Sequence, residues 1–132
     1  MIKEITVSTK SHSQMIDITG SVQTAVKETG VSTGICYVFV PHTTAGITIN
    51  ENADPSVVSD FLREAEKIVP WNDGYQHSEG NSAAHIKASM MGFSQAVFIE
   101  NGKLVLGTWQ GIYFCEFDGP RTRKVLVKVA AG

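Results

Sequence analysis

The sequence predicts an α+β fold, a single domain over residues 1–132 with about three helices packed on a mixed or antiparallel sheet. Three observations carry this expectation. Stretches with strand patterning outnumber helical ones by about seven to three. Their order lacks the regular strand–helix alternation of a doubly wound fold, and no linker, low-complexity stretch or internal repeat divides the chain. At 132 residues about two-thirds of the unfolded surface can be buried, enough for a core without staples.

From the amino terminus, Ile2–Thr9 alternates as a strand, with Ile5, Val7 and Thr9 on one side. Met15–Ile18 reads as a second short strand. Thr19 is placed to cap a helix whose Val22, Ala25, Val26 and Thr29 share a stripe and which Gly30 stops. Gly34–Val40 is a strand ended by Pro41, and Gly46–Asn50 is the next, so His42, Thr43 and Thr44 fall at the turn between them. Asp54-Pro55 supplies a cap and first residue for a helix with Val58, Phe61, Leu62, Ala65 and Ile68 as its buried face. Pro70 closes it.

A polar loop with Trp71 and Tyr75 then runs to Gly80, and Asn81 or Ser82 caps a third helix reaching about Met91. Phe93–Glu100 and Lys103–Leu106 flank Asn101-Gly102 as a hairpin. Trp109–Phe117 and Lys124–Val129 are strands separated by the turn Asp118-Gly119-Pro120.

Composition excludes several classes. Hydrophobic content of 42% and charged content of 18% are those of an ordinary globular protein. A formal charge of −2 argues against a general nucleic-acid binder or a membrane-surface binder. Cys36 and Cys115 sit in apolar runs without ligand spacing and read as buried thiols. No signal-type leader opens the sequence and no apolar stretch approaches the ~20 residues that cross a bilayer, so the cytoplasm is the expected compartment.

The candidate chemistry lies in three motifs. Pro41-His42-Thr43-Thr44 offers an imidazole and two hydroxyls at a strand end, and His77-Ser78-Glu79-Gly80-Asn81 with His85 brings two more imidazoles near a helix start. Three histidines are one sufficient zinc set, and they equally suit proton transfer near neutral pH. Glu79-Gly80-Asn81-Ser82 is also a plausible anion seat at the helix N-terminus. In the third motif Glu116 and Asp118 alternate onto one strand face, as do Arg121 and Arg123, whose forked guanidiniums suit phosphate. His12 is read as a solvent-exposed turn residue outside the site.

Together these motifs resemble the YjbQ-like family, also called the secondary thiamine-phosphate synthase enzyme family. The resemblance rests on His42-Thr43-Thr44-Ala45 running into Ile49-Asn50-Glu51, on His77-x-Glu79-Gly80-Asn81 with His85, and on Gly107-Thr108-Trp109-Gln110 through Glu116-x-Asp118-Gly119-Pro120-Arg121-x-Arg123. It implies a YjbQ-like fold with a β-sandwich-like core, a homotrimer, and a weak or secondary activity. That activity joins a pyrimidine pyrophosphate to a thiazole phosphate and releases pyrophosphate. His42, His77, His85, Glu79 and Glu116 are then the candidate catalytic residues. Thr43, Thr44, Asn81, Asp118, Arg121 and Arg123 are the candidate phosphate contacts.

The expected metal is Zn²⁺ on the histidines, or Mg²⁺ accompanying a pyrophosphate substrate. Two other classes remain in play: a zinc-dependent hydrolase with Glu79 or Glu116 as base, and a non-catalytic binder of a small anionic metabolite.

Overall fold

Two antiparallel sheets form the frame of the computed structural model, which describes residues 1–132. The larger has the order β1-β8-β3-β5-β6, built from Ile2–Ser8 (β1), Thr122–Ala131 (β8), Gly34–Phe39 (β3), Ser94–Glu100 (β5) and Lys103–Leu104 (β6). The smaller has the order β2-β7-β4, from Gln14–Asp17 (β2), Gln110–Glu116 (β7) and Ala45–Glu51 (β4). Every ladder is antiparallel, which narrows the expected mixed or antiparallel sheet to the second alternative.

The main core lies between the sheets and helix α1 (Thr19–Thr29), and joins Val22 and Val26 to Val38, Ile47, Phe114, Val125 and Val127. Alternation along β8 puts Arg123, Val125 and Val127 on this inner face. A second core, containing Met15, Ala84, Ala88, Cys115 and Phe117, lies on the other side of the small sheet. There α2 (Pro55–Ile68) and α3 (Ser82–Met91) pack. β7 is buried from Gly111 to Glu116 because it is the middle strand of a sheet covered on both faces.

Local signals behave as physics dictates at most boundaries. Asp54 caps α2 by accepting the Ser56 N–H at 2.9 Å, with Pro55 as the first helical residue. Gly30 ends α1 in the left-handed conformation, φ 71°. Asn101 and Gly102, at φ 52° and 74°, make the β5–β6 turn.

Four expectations are corrected. Thr19 is the first helical residue of α1, not its cap: Asp17 accepts the Thr19 N–H at 2.9 Å, and the Thr19 hydroxyl accepts the Ile112 N–H at 2.8 Å. Asn81 precedes α3 without a side-chain cap, because its amide donates to Asp118 at 2.9 Å. No residue of α2 is fully buried, and Ile68 is 64% exposed. β8 runs from 122 to 131, longer than Lys124–Val129, since both its edges are paired.

Candidate functional site

Three loop regions meet at one end of the sandwich. The β3–β4 corner carries Pro41–Thr44, the α2–α3 loop and the start of α3 bring Trp71, His77, Glu79, Asn81 and His85, and the β7–β8 corner adds Asp118, Arg121 and Arg123. They enclose an open polar cleft of about 710 Å³. Ten of the eleven residues expected at the site line it; Glu116 does not.

Backbone proximity at the third corner requires glycine. A Cβ on Gly119 would stand 2.8 Å from Glu116 Cγ and 2.9 Å from Thr9 Oγ1. This tight seat turns Asp118 toward the cleft while Glu116, two residues earlier, stays inside. Glu116 is 0% exposed and Arg123 3%. The Glu116 carboxylate accepts from Arg123 Nε at 2.8 Å, from Arg123 Nη2, from Thr9 Oγ1 at 2.8 Å and from the Asp118 N–H at 3.0 Å. Burial alone would raise its pKa, but the hydrogen bonds from Arg123, Asp118 and Thr9 outweigh it and hold the carboxyl below the ordinary 4.5.

Arg123 Nη2 also donates to Thr44 Oγ1 at 2.8 Å, so Thr44 is drawn into this network. The expected twin phosphate fork of Arg121 and Arg123 is therefore divided. β8 starts at Thr122, which leaves Arg121 in the preceding corner, half exposed. Its Nε donates to the Asp118 carbonyl at 2.9 Å and its Nη2 to Asp118 Oδ2 at 3.1 Å. Arg123 commits Nε and Nη2 inward and still borders the cleft. Glu116 acts on Arg123, not on the contents of the cleft.

His42 stands at the base of the β3–β4 corner, and its Nε2 accepts the Lys124 N–H at 2.9 Å. That bond requires an unprotonated Nε2 and leaves Nδ1 to carry the proton. Burial, and then the Arg123 charge, push its pKa below 6.5. His77 and His85 meet edge to face with ring centroids 5.3 Å apart, and Glu79 Oε1 lies 3.8 Å from His77 Nε2. Within this chain no three His, Cys, Asp or Glu side chains form a metal-holding group. The three histidines do not fit a single-chain zinc set, since His42 points Nε2 at the β8 backbone while the other two face one another.

Two contributors lacked a signal in the sequence. Trp71 lines the cleft, its backbone N–H donating to Glu66 Oε1 at 3.0 Å. His12 is half exposed and outside the cleft lining, as expected, yet its ring meets Trp71 edge-on at 4.3 Å and its Nε2 is 3.9 Å from Asp118 Oδ1. Nothing in Ser11-His12-Ser13 marks this, because both partners are distant in sequence. The two thiols are buried as expected, pushed up to about 11 at Cys36 and about 12 at Cys115 by desolvation, so neither is an activated nucleophile. No helix is long and apolar enough to cross a membrane.

With the geometry in place, comparison with known proteins is direct. The family described as "UPF0047 protein YjbQ-like" matches residues 3–132. The UPF0047 protein YugU of Bacillus subtilis is 54% identical over 130 residues, which are 98% of both chains. A UPF0047 protein of Methanocaldococcus jannaschii is 50% identical over 98% of this chain and 94% of its own. A crystal structure of an uncharacterized conserved YjbQ/UPF0047 protein from Clostridium acetobutylicum superposes with a TM-score of 0.95 at 62% identity, covering 97% and 99% of the two chains. One from Sulfolobus solfataricus, described as a protein of unknown function, has a TM-score of 0.95 at 33% identity over 100% and 97%.

Proposed function

The chain belongs to the YjbQ-like UPF0047 family, and from its cleft we propose that it is an enzyme acting on a phosphorylated small molecule. The observation that carries this reading is the composition of the cleft. Three imidazoles, an exposed guanidinium, an amide and a threonine hydroxyl face about 710 Å³, with Trp71 as the main apolar side chain in the wall. Arg121 retains N–H groups for a phosphate oxygen, and the buried Arg123 adds positive potential behind it. His77 and His85 are placed to exchange protons with an oxygen of the substrate.

Thiamine-phosphate synthesis is the specific reaction within this proposal, as a weak or secondary activity. Its C–O bond to pyrophosphate breaks with the electrons leaving on oxygen, and a thiazole nitrogen forms the new C–N bond. The chain's part is to neutralise the departing pyrophosphate, a task for Arg121 and the imidazoles. Mg²⁺ would travel with that substrate. The homotrimer belongs to the proposal too: Tyr37, Phe39 and Phe98 are exposed on the large sheet, and light scattering measures the mass directly.

The test is product formation by parent and His85→Ala protein. The substitution abolishes turnover and leaves the melting temperature unchanged; parent-level turnover would remove His85 from the chemistry. Saturable binding of pyrophosphate without product would make the protein a metabolite binder.

A further inference from the structure

The three imidazoles of the cleft are not alike, and His42 differs by what holds it. β3 leaves β8 after the Phe39–Leu126 pair. Two residues before Leu126, the Lys124 N–H donates to His42 Nε2 at 2.9 Å in place of a strand carbonyl. Lys124 is itself held in the ladder with β1, opposite Thr6. A main-chain N–H is a donor only, and in a paired strand it has no second orientation. A proton on Nε2, in the other tautomer or in the imidazolium, sets two donors face to face. His77 and His85 meet only each other and the Glu79 carboxylate, so no backbone group dictates where their protons sit.

With Nε2 occupied, the Nδ1–H is all that the His42 ring has to offer a ligand. It has no acceptor within the chain, and the one buried side-chain polar atom without a partner is Asn81 Oδ1, so Nδ1 is open to solvent. The ring lines the cleft together with Thr43, Arg121 and Arg123. We propose that His42 serves the cleft as a fixed hydrogen-bond donor, giving Nδ1–H to an anionic oxygen of the ligand, and takes no part in proton exchange. This rests on the reading of the cleft as a phosphate site. The lone pair that accepts a proton or a metal ion is spent on the strand. What remains is a neutral donor aimed before the ligand arrives, a group that stabilises charge on oxygen without reorganising. It also selects, because a ligand that presents N–H at that point meets another donor. Proton exchange falls to His77 and His85.

A long-range proton–nitrogen NMR spectrum of the parent at neutral pH, with His42→Gln used to assign the ring, tests the tautomer. His42 is expected as the Nδ1–H form, and inorganic pyrophosphate is expected to move that signal without adding a second proton. The Nε2–H form, or imidazolium with or without pyrophosphate, overturns the proposal. Two variants then part the two nitrogens, since glutamine places an amide oxygen near the position of Nε2 and asparagine an amide N–H near that of Nδ1. His42→Gln is expected to keep the parent's melting temperature and to bind pyrophosphate about tenfold more weakly in calorimetric titration, the worth of one hydrogen bond to a charged group. His42→Asn is expected to melt lower and to bind within about threefold of the parent. Parent-level binding by His42→Gln overturns the donor role while anion binding stands. Absence of saturable pyrophosphate binding by the parent overturns the reading of the cleft, and the donor role with it.

Discussion

Two carboxylate–guanidinium pairs sit within eight residues of each other, and they do opposite work. Glu116–Arg123 is sealed in the protein, whereas Asp118–Arg121 stands at the cleft with its guanidinium half exposed. Each joins a carboxylate to a guanidinium, and the charges are equal. The difference is the inward face of β8, which claims Arg123 along with Val125 and Val127, and the Gly119 corner, which turns Asp118 outward. Burial converts one pair into a strut between β1, β7 and β8, and leaves the other available to a ligand.

The comparison can be broken at its buried half with the largest effect. Glu116→Ala leaves an uncompensated guanidinium inside and is expected to cost about 3–5 kcal/mol in urea denaturation; a loss below about 1 kcal/mol would mean the pair is no strut. At the exposed half, Arg121→Ala should weaken pyrophosphate binding about tenfold, the worth of one charge-assisted contact, with stability unchanged within about 0.5 kcal/mol. Calorimetric titration and a melting curve of the same sample separate those two results. Thr9→Val removes one hydroxyl from Glu116 and should cost about 1 kcal/mol by the same denaturation assay, with binding intact.

The smallest effect is in pH. Because folding lowers the His42 pKa, the unfolded chain takes up its proton first as pH falls through about 6.5. Stability tied to neutral His42 is therefore present above that value and declines below it. The fall in urea midpoint between about pH 7.5 and about pH 5.5 should shrink in His42→Gln. Glu116 runs the same way at lower pH: its lowered pKa gives stability that is present above 4.5 and lost as acid protonates it in the folded state.

Elements whose signals are local were legible in the sequence. The Asp54-Pro55 start, the Asn101-Gly102 turn and the alternation of β1 each depend on a few adjacent residues. The site was legible as a set of residue types, and ten of eleven candidates reached one cleft. Their roles were not. Alternation put Glu116 and Asp118 on one face and the structure parts them, because which group is inside depends on strands about 100 positions away, as with Thr9 and Glu116. His12 and Trp71 were missed for the same reason, since their juxtaposition is a product of the β1–β2 and α2–α3 loops meeting.

The anchoring of Trp71 has an optical consequence. The chain has two tryptophans, and the other, Trp109, is 62% exposed at the opposite end of β7. In a Trp109→Phe protein all indole emission would come from the wall of the cleft. The His12 ring 4.3 Å away adds a second use. The same light would register whatever enters beside that ring.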